Sequence, residues 1–404
     1  MIMQNKLVSY QPITDVQCHL VGIDLVVDKR ENATDNISES VISALHPFLC
    51  LETAGLFANH QVFVKVDEQF LMADALTLLP KTQVVLTLVR CDVVSEDLIN
   101  RCSVLADMGY SLALDDWADK DPRLPLLAYA KFVRINLEHG LQSISDVLVS
   151  STANLIAVET NCLEQRECSE NIGVNLYQGY YYLDVRPDAT KSLPLSVHVI
   201  LEVIAELNSD GSDAALERFF RENPVLSVQM LRMVNSAAIG AGREVSSIRH
   251  AIMILGRGQM IRWLQVMLYT QRDTANVPTM LMYTALWRAK LMELMSTQCN
   301  HHGSTVHHDA VFMTGMLSLA DVLLNDSMNS VVAKMSLATS IRDALLNRSG
   351  VAGSLLALVE FLELAKFADV EKHASVLGTT IEVIMACQNE ALIWVDQIAS
   401  SLDI

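Results

Sequence analysis

The stretch Glu222–Leu268, ENPVLSVQMLRMVNSAAIGAGREVSSIRHAIMILGRGQMIRWLQVML, decides how the carboxyl-terminal half of this chain is read. Asn223-Pro224 marks a helix start, because asparagine caps a helix and proline is tolerated in its first turn. Leu226, Met230 and Val234 then recur at helical spacing, with Leu231 widening the apolar stripe. Asn235-Ser236, Gly240 and Gly242 interrupt the pattern as a loop. Ser246 or Ser247 can cap the next helix, where Ile248, Ile252 and Leu255 share a face and Gly256 closes it. Met260, Leu264, Met267 and Leu268 mark a third. The segment predicts three short helices around one apolar interior.

Its surroundings read the same way. Helical periodicity continues at Val197–Leu207, Ser212–Arg221, Thr279–Met295, Asp309–Leu324, Ser336–Arg348 and Gly353–Phe367, with no strand signal between. Helices without strands predict an all-α domain. NPVLS, LRMVNSA, the pair Ser247-Ile248 and the run from Ala251-Ile252 to Leu255-Gly256 together resemble the HDOD domain of bacterial signalling proteins. That resemblance implies a helical fold of the HD phosphohydrolase kind without its metal ligands, acting as an interaction module. The His-Asp of a true HD enzyme would fall at Ser318 and Leu319, which bind no metal. His301, His302, His307 and His308 cluster in HHGSTVHHD, but without an acidic or thiol partner at fixed spacing they read as a solvated loop.

The amino-terminal half has another texture. Short apolar runs at His19–Val27, Val62–Val66, Val84–Val89, Ser111–Asp115, Phe132–Asn136, Leu155–Val158 and Val174–Tyr177 predict strands. Helical patterns at Glu68–Leu79, Glu96–Met108, Gln142–Ser150 and Cys162–Ile172 lie between them, so a parallel sheet is expected, doubly wound or closed into a barrel. No glycine-rich phosphate loop is present. Arg186-Pro187 and Ser192-Leu193-Pro194 bracket a stiff polar joint. The expected division is residues 1–187 and 188–404.

YQPITDVQCHLVGIDLVVDKR (Tyr10–Arg30), ALDDW (Ala113–Trp117), FVRIN (Phe132–Asn136) and NLYQGYYY (Asn175–Tyr182) resemble the signposts of an EAL domain. The resemblance implies a modified (β/α) barrel that hydrolyses cyclic di-GMP with two divalent cations. The expected fold class is therefore α/β plus all-α, an EAL-type barrel followed by a helical HDOD domain. Residue by residue the metal shell departs from the family pattern. Asp24 stands for the signature glutamate, within DLV, and Asp28 for a phosphate-contacting arginine. Lys65 replaces a metal-binding asparagine and Arg90 a glutamate, while Arg134 and Asn136 replace a lysine and an aspartate. Asp115, Asp116 and Gln178 match. A gapless reading puts Val158 and Asn161 where glutamates belong, whereas a two-residue shift keeps Glu159. Lys65 and Arg90 would repel magnesium and can themselves neutralise Asp24, Asp115 and Asp116. The cluster reads as an ion-pair plug. Its rival is an anion pocket in which Lys65, Arg90 and Arg134 meet a phosphate.

Composition bounds the rest. With 404 residues, 51% hydrophobic and 19% charged, the chain can build more than one core. A net charge of −18 argues against nucleic acid and anionic membranes as partners. No signal-peptide layout opens the sequence, and no uninterrupted apolar run reaches membrane-spanning length. The eight scattered cysteines read as reduced thiols, which fits a cytoplasmic protein. The recurrent methionines read as core fillers, with an adaptable partner-binding surface as the alternative, and Trp263 and Trp287 as core or interdomain anchors.

The expected function is thus a non-enzymatic adaptor of cyclic di-GMP or motility pathways, working through other signalling proteins. It would need no cofactor, with magnesium or manganese relevant only to a competent residual site. The alternatives are a cyclic di-GMP receptor that does not hydrolyse its ligand, and a weakly active phosphodiesterase. EAL-type barrels often dimerise, so a homodimer is the family expectation.

Overall fold

The computed structural model describes residues 6–28, 60–118, 120–136, 152–184, 195–208, 248–270, 280–299, 307–335 and 337–401, with Phe220 and Ser227 besides. Most of Glu222–Ser247, the helix expected at Ser212–Arg221 and the one at Gln142–Ser150 lie outside these residues. Packing divides the chain into two units. One joins Met1–Asp184 to Gln298–Asn300 and Ala357–Asp403; the other is Val185–Thr297 with His301–Leu356 and Ile404. Residues 357–403, which the sequence division assigned to the helical domain, therefore pack with the amino-terminal half. Tyr10 OH donates to Asn389 Oδ1 at 2.9 Å, and Gln388 Nε2 to the Val8 carbonyl at 3.1 Å.

The first unit is built on a closed barrel of eight strands in chain order: β1 Val8–Asp15, β2 Leu20–Val27, β3 Gln61–Val66, β4 Val84–Leu88, β5 Ser111–Leu114, β6 Ala130–Asn136, β7 Asn154–Val158 and β8 Leu176–Gln178. β1 runs antiparallel to both β2 and β8, and every other pairing is parallel. β1 is the strand that sequence patterning did not find. Pro12 sits in its middle and its inward positions include polar Ser9 and Gln11, both signals that demote a strand.

Side chains alternate inward and outward along a strand, so positions two apart stack in successive layers inside a barrel. Ile13, Phe63, Val85, Ala113, Phe132, Ile156 and Leu176 form one apolar layer, all buried. Phe63 and Phe132 meet edge to face, with ring centroids 5.1 Å apart. β2 contributes Gly22 to this layer, and a Cβ there would lie 2.8 Å from the Phe63 ring. One layer further, two residues on in β2 to β8 and two residues back in antiparallel β1, come Gln11, Asp24, Lys65, Thr87, Asp115, Arg134, Val158 and Gln178. An apolar floor thus carries a polar layer at the carboxyl ends of the parallel strands.

Around the barrel, α1 (Glu68–Met72) is capped by Asp67 and α2 (Glu96–Asp107) by Ser95, each cap oxygen accepting from a backbone N–H three residues on. The helix expected over Glu68–Leu79 breaks after Met72, and a 3-10 turn Asp74–Leu78 follows. α3 spans Leu163–Glu170.

Among the described residues the further helices are α4 Leu195–Asn208, α5 Ile248–Thr270, α6 Met280–Gln298, α7 His308–Leu317, α8 Ala320–Leu324, α9 Met328–Lys334, α10 Thr339–Asn347, α11 Gly350–Glu363, α12 Phe367–Leu377 and α13 Ile381–Ser401. Gly256 interrupts α5 with φ 69° and ψ 170°, at the break expected from the sequence. The helix expected over Asp309–Leu324 divides at Ser318-Leu319. Gly315 lets α7 approach α6, since a Cβ there would lie 2.5 Å from the Ala289 Cα. Met260, Met267, Met280, Met282, Met292 and Met295 are buried as core fillers, but Met253 is 66% exposed and departs from that expectation. Thr339–Glu363 is long and apolar enough by composition to cross a membrane, yet Arg342, Asp343, Arg348 and Glu360 interrupt it, in keeping with the expectation of no uninterrupted apolar run of that length. Arg348 and Gly350, both at positive φ, divide it. The seven described cysteines are all free thiols.

Gly22→Ala should lower the thermal unfolding midpoint of the full chain, by the equivalent of roughly 1–3 kcal/mol, because the methyl overpacks the barrel floor. An unchanged midpoint in calorimetry would mean that Phe63 does not need the space.

Candidate functional site at the barrel mouth

The polar layer opens into a cavity of about 740 Å³, lined by Gln11, Asp24, Val26, Lys65, Val89, Arg90, Asp115, Asp116, Arg134, Asn136, Val158, Glu159, Asn161, Gln178, Gly179, Leu364 and Ala365. Every site residue expected from the sequence, Asp24, Lys65, Arg90, Asp115, Asp116, Arg134 and Gln178, is brought to this one place. Asp28 is not among its lining residues; it follows the end of β2, where its N–H donates to the Leu7 carbonyl.

Arg134 organises the centre. Its Nη1 and Nη2 donate to the two carboxylate oxygens of Asp24, both at 2.8 Å, and Nη2 also reaches Gln178 Oε1. Its Nε lies 3.1 Å from Asp115 Oδ1, close enough for an ion pair but without hydrogen-bond geometry. The other Asp115 oxygen meets Lys65 Nζ at 2.8 Å. Asp24 and Arg134 are almost wholly buried, and Lys65 is partly exposed. Burial pushes the Asp115 carboxyl up, but Arg134 and Lys65 outweigh it and hold the group below the ordinary carboxylate range. Burial likewise disfavours the charged Arg134, and Asp24 and Asp115 reverse that, raising its pKa.

Ion pairs do engage Asp24 and Asp115, but not with the expected cations throughout: Lys65 meets Asp115, whereas Asp24 is held by Arg134 and not by Lys65 or Arg90. A pair of divalent ions needs several open oxygen ligands. Both Asp24 oxygens are engaged by Arg134, and the Asp115 oxygens face Arg134 and Lys65. Among the described residues no group of three His, Cys, Asp or Glu could hold a metal. As arranged, these side chains do not fit a two-metal centre. Glu159, the residue kept by the shifted reading, does reach the mouth and accepts from Asn136 Nδ2 at 3.2 Å.

The mouth also holds strained backbone. Of seven described non-glycine residues at positive φ, three line this cavity: Asp116 at 47°, Glu159 at 55° and Ala365 at 53°. Such conformations cost energy and gather at functional sites. Gly179, at φ 133°, supplies a further tight turn, because a Cβ there would lie 2.4 Å from the Thr160 carbonyl oxygen. Arg90 is exposed at the rim and makes no ion pair with the described residues. Residue types alone could not show this division, in which carboxylates hold Arg134 and Lys65 while Arg90 makes no ion pair among the described residues.

In the helical unit, Ser318 follows α7 and its Oγ accepts from the buried Arg288 Nη1 at 3.1 Å. Leu319 is buried. His308 begins α7 instead of lying in the preceding loop, and its Nδ1 is 2.7 Å from Ser296 Oγ; His301 and His302 lie outside the described residues.

Residues 193–349 match the HDOD domain family, so this part of the chain, which follows the barrel strands in sequence, carries an HDOD domain. Over its length the chain is similar to two curated proteins. It is 27% identical to the Vibrio cholerae protein named cyclic di-GMP phosphodiesterase CdgJ, covering 97% of this chain and 93% of the relative. It is 24% identical to Bacillus subtilis YuxH, an uncharacterised protein, covering 96% and 97%. A solved structure with an EAL domain, Bacillus subtilis YkuI in complex with cyclic di-GMP and calcium, matches with TM-score 0.36 and 17% identity over 63% of this chain and 71% of that one. The similarity to CdgJ corrects one expectation. The absence of enzyme activity was inferred from substituted metal ligands, yet a relative matching both halves is named for that activity.

Asp115 carries a pH test. Its folded-state pKa is lowered, so its contribution is fully present above the unfolded value and is lost as pH falls through the folded one. The stability difference between wild type and Asp115→Asn should be constant near neutrality and shrink below about pH 4. A difference in unfolding midpoint that stays constant down to acid pH would show that the charge is not what Lys65 and Arg134 hold.

Proposed function

We propose that this chain is a cyclic di-GMP signalling protein of EAL–HDOD layout that takes the dinucleotide at the barrel mouth and acts on protein partners through its helical domain. The carrying observation is the ring of inward polar side chains above an apolar floor, with Arg90 at its rim unpaired among the described residues. A guanidinium in that position suits a phosphodiester, whose oxygens accept paired N–H donors. The full-length similarity to a protein named for cyclic di-GMP supports the ligand class. The HDOD resemblance supports action by protein contact.

Turnover of the dinucleotide is the second reading. It is favoured by the activity in the relative's name and by Asp115, Asp116 and Glu159 at the mouth. Calorimetric titration of the full chain with cyclic di-GMP, with and without magnesium or manganese, tests both when the product is followed by chromatography. Saturable heat that Arg90→Glu weakens at least about tenfold is expected, roughly 1.4 kcal/mol. Linear product that Asp115→Ala abolishes would establish turnover. No heat at millimolar ligand, together with no product, would refute the assignment of the mouth.

A further inference from the structure

The mouth is completed by a segment outside the barrel. α11 ends at Glu363, and the following turn places Leu364 and Ala365 on the cavity wall. Lys366 N–H closes back on the Phe361 carbonyl at 2.9 Å and Ala365 N–H on the Leu362 carbonyl at 3.1 Å. Ala365 takes the left-handed conformation that glycine usually fills at a helix end. The turn is tied to β1, because the Glu363 carbonyl accepts from Ser9 Oγ at 3.1 Å and from Gln11 Nε2 at 3.3 Å. From Gln11 the bonding continues inward. Gln178 Nε2 donates to Gln11 Oε1 at 2.6 Å and to Asp24 Oδ2 at 3.0 Å, while Arg134 donates to Gln178 Oε1. A continuous series of oriented amides therefore joins this turn to the ion pair at the centre.

What the turn presents is unusual for its place. Leu364 is 41% exposed, the one large exposed apolar side chain among the described residues that faces this charged cavity. Leu364 adjoins Ala365, which is at positive φ, on a turn that Ser9 and Gln11 anchor. Resting on the reading of the mouth as a cyclic dinucleotide site, we propose that Leu364 is a specificity-determining contact. It supplies the apolar surface against which one flat purine base of the ligand packs while the phosphates meet the rim. The residue that selects a base-bearing ligand then comes from the carboxyl-terminal helices, and Gln11 sets its position relative to Arg134.

The experiment is calorimetric titration of the full chain with cyclic di-GMP in wild type, Leu364→Ala and Leu364→Met. Because the side chain is exposed, both variants should keep the wild-type unfolding midpoint. Weakening of about tenfold in Leu364→Ala, with near wild-type affinity in Leu364→Met, is the expected result. Equal affinity in all three proteins would overturn the role of Leu364 and leave the mouth as the binding site. Absence of binding in wild type would instead overturn the site assignment, and this inference with it.

Discussion

Arg134 and Asp24 meet inside the barrel through two hydrogen bonds of 2.8 Å, with both side chains almost cut off from solvent. Neither group could be buried alone, since an uncompensated charge in that setting costs several kcal/mol. The pair in turn dictates its neighbours. Gln178 satisfies both partners at once, and Asp115 is held charged between Arg134 and Lys65. The mouth is thus a connected charge network in which a fixed guanidinium lies between two carboxylates. Any ligand must be recognised by what that network leaves open, chiefly the rim.

The network is placed by simple geometry. Strand alternation turns every second residue inward, and the floor of Phe63, Val85, Ala113, Phe132 and Ile156 sets the level at which Lys65, Thr87, Asp115, Arg134 and Val158 emerge. Gly22 matters because Phe63 needs the room that a side chain would fill. A slip of one residue in any strand would exchange floor and outer face, so packing of the floor also fixes the registry of the site.

Much of this was legible in the sequence. The parallel strands announced themselves as short runs such as Val84–Val89, and the Gly256 break fell where periodicity failed. The sequence suggested that Lys65 and Arg90 neutralise Asp24, Asp115 and Asp116; Lys65 does meet Asp115, but the partner of Asp24 is Arg134, which residue types alone did not single out. β1 was hidden because a strand facing a polar interior lacks apolar alternation and here carries Pro12. The Leu364 turn was hidden for another reason: it lies 340 positions after Asp24, and only tertiary packing puts both in one cavity. The inference of lost activity went astray because it weighed the ligand positions one by one, and a substituted shell does not by itself fix what a site does.

Asp24 and Arg134 act as one interacting unit. A double-mutant cycle with Asp24→Leu and Arg134→Met, followed by denaturant unfolding, measures that directly. Each single variant should lose about 3–5 kcal/mol, and the double variant should recover most of it, a coupling of several kcal/mol. Losses that add to within about 0.5 kcal/mol would contradict it, and the mouth would then have to be organised by something other than this pair.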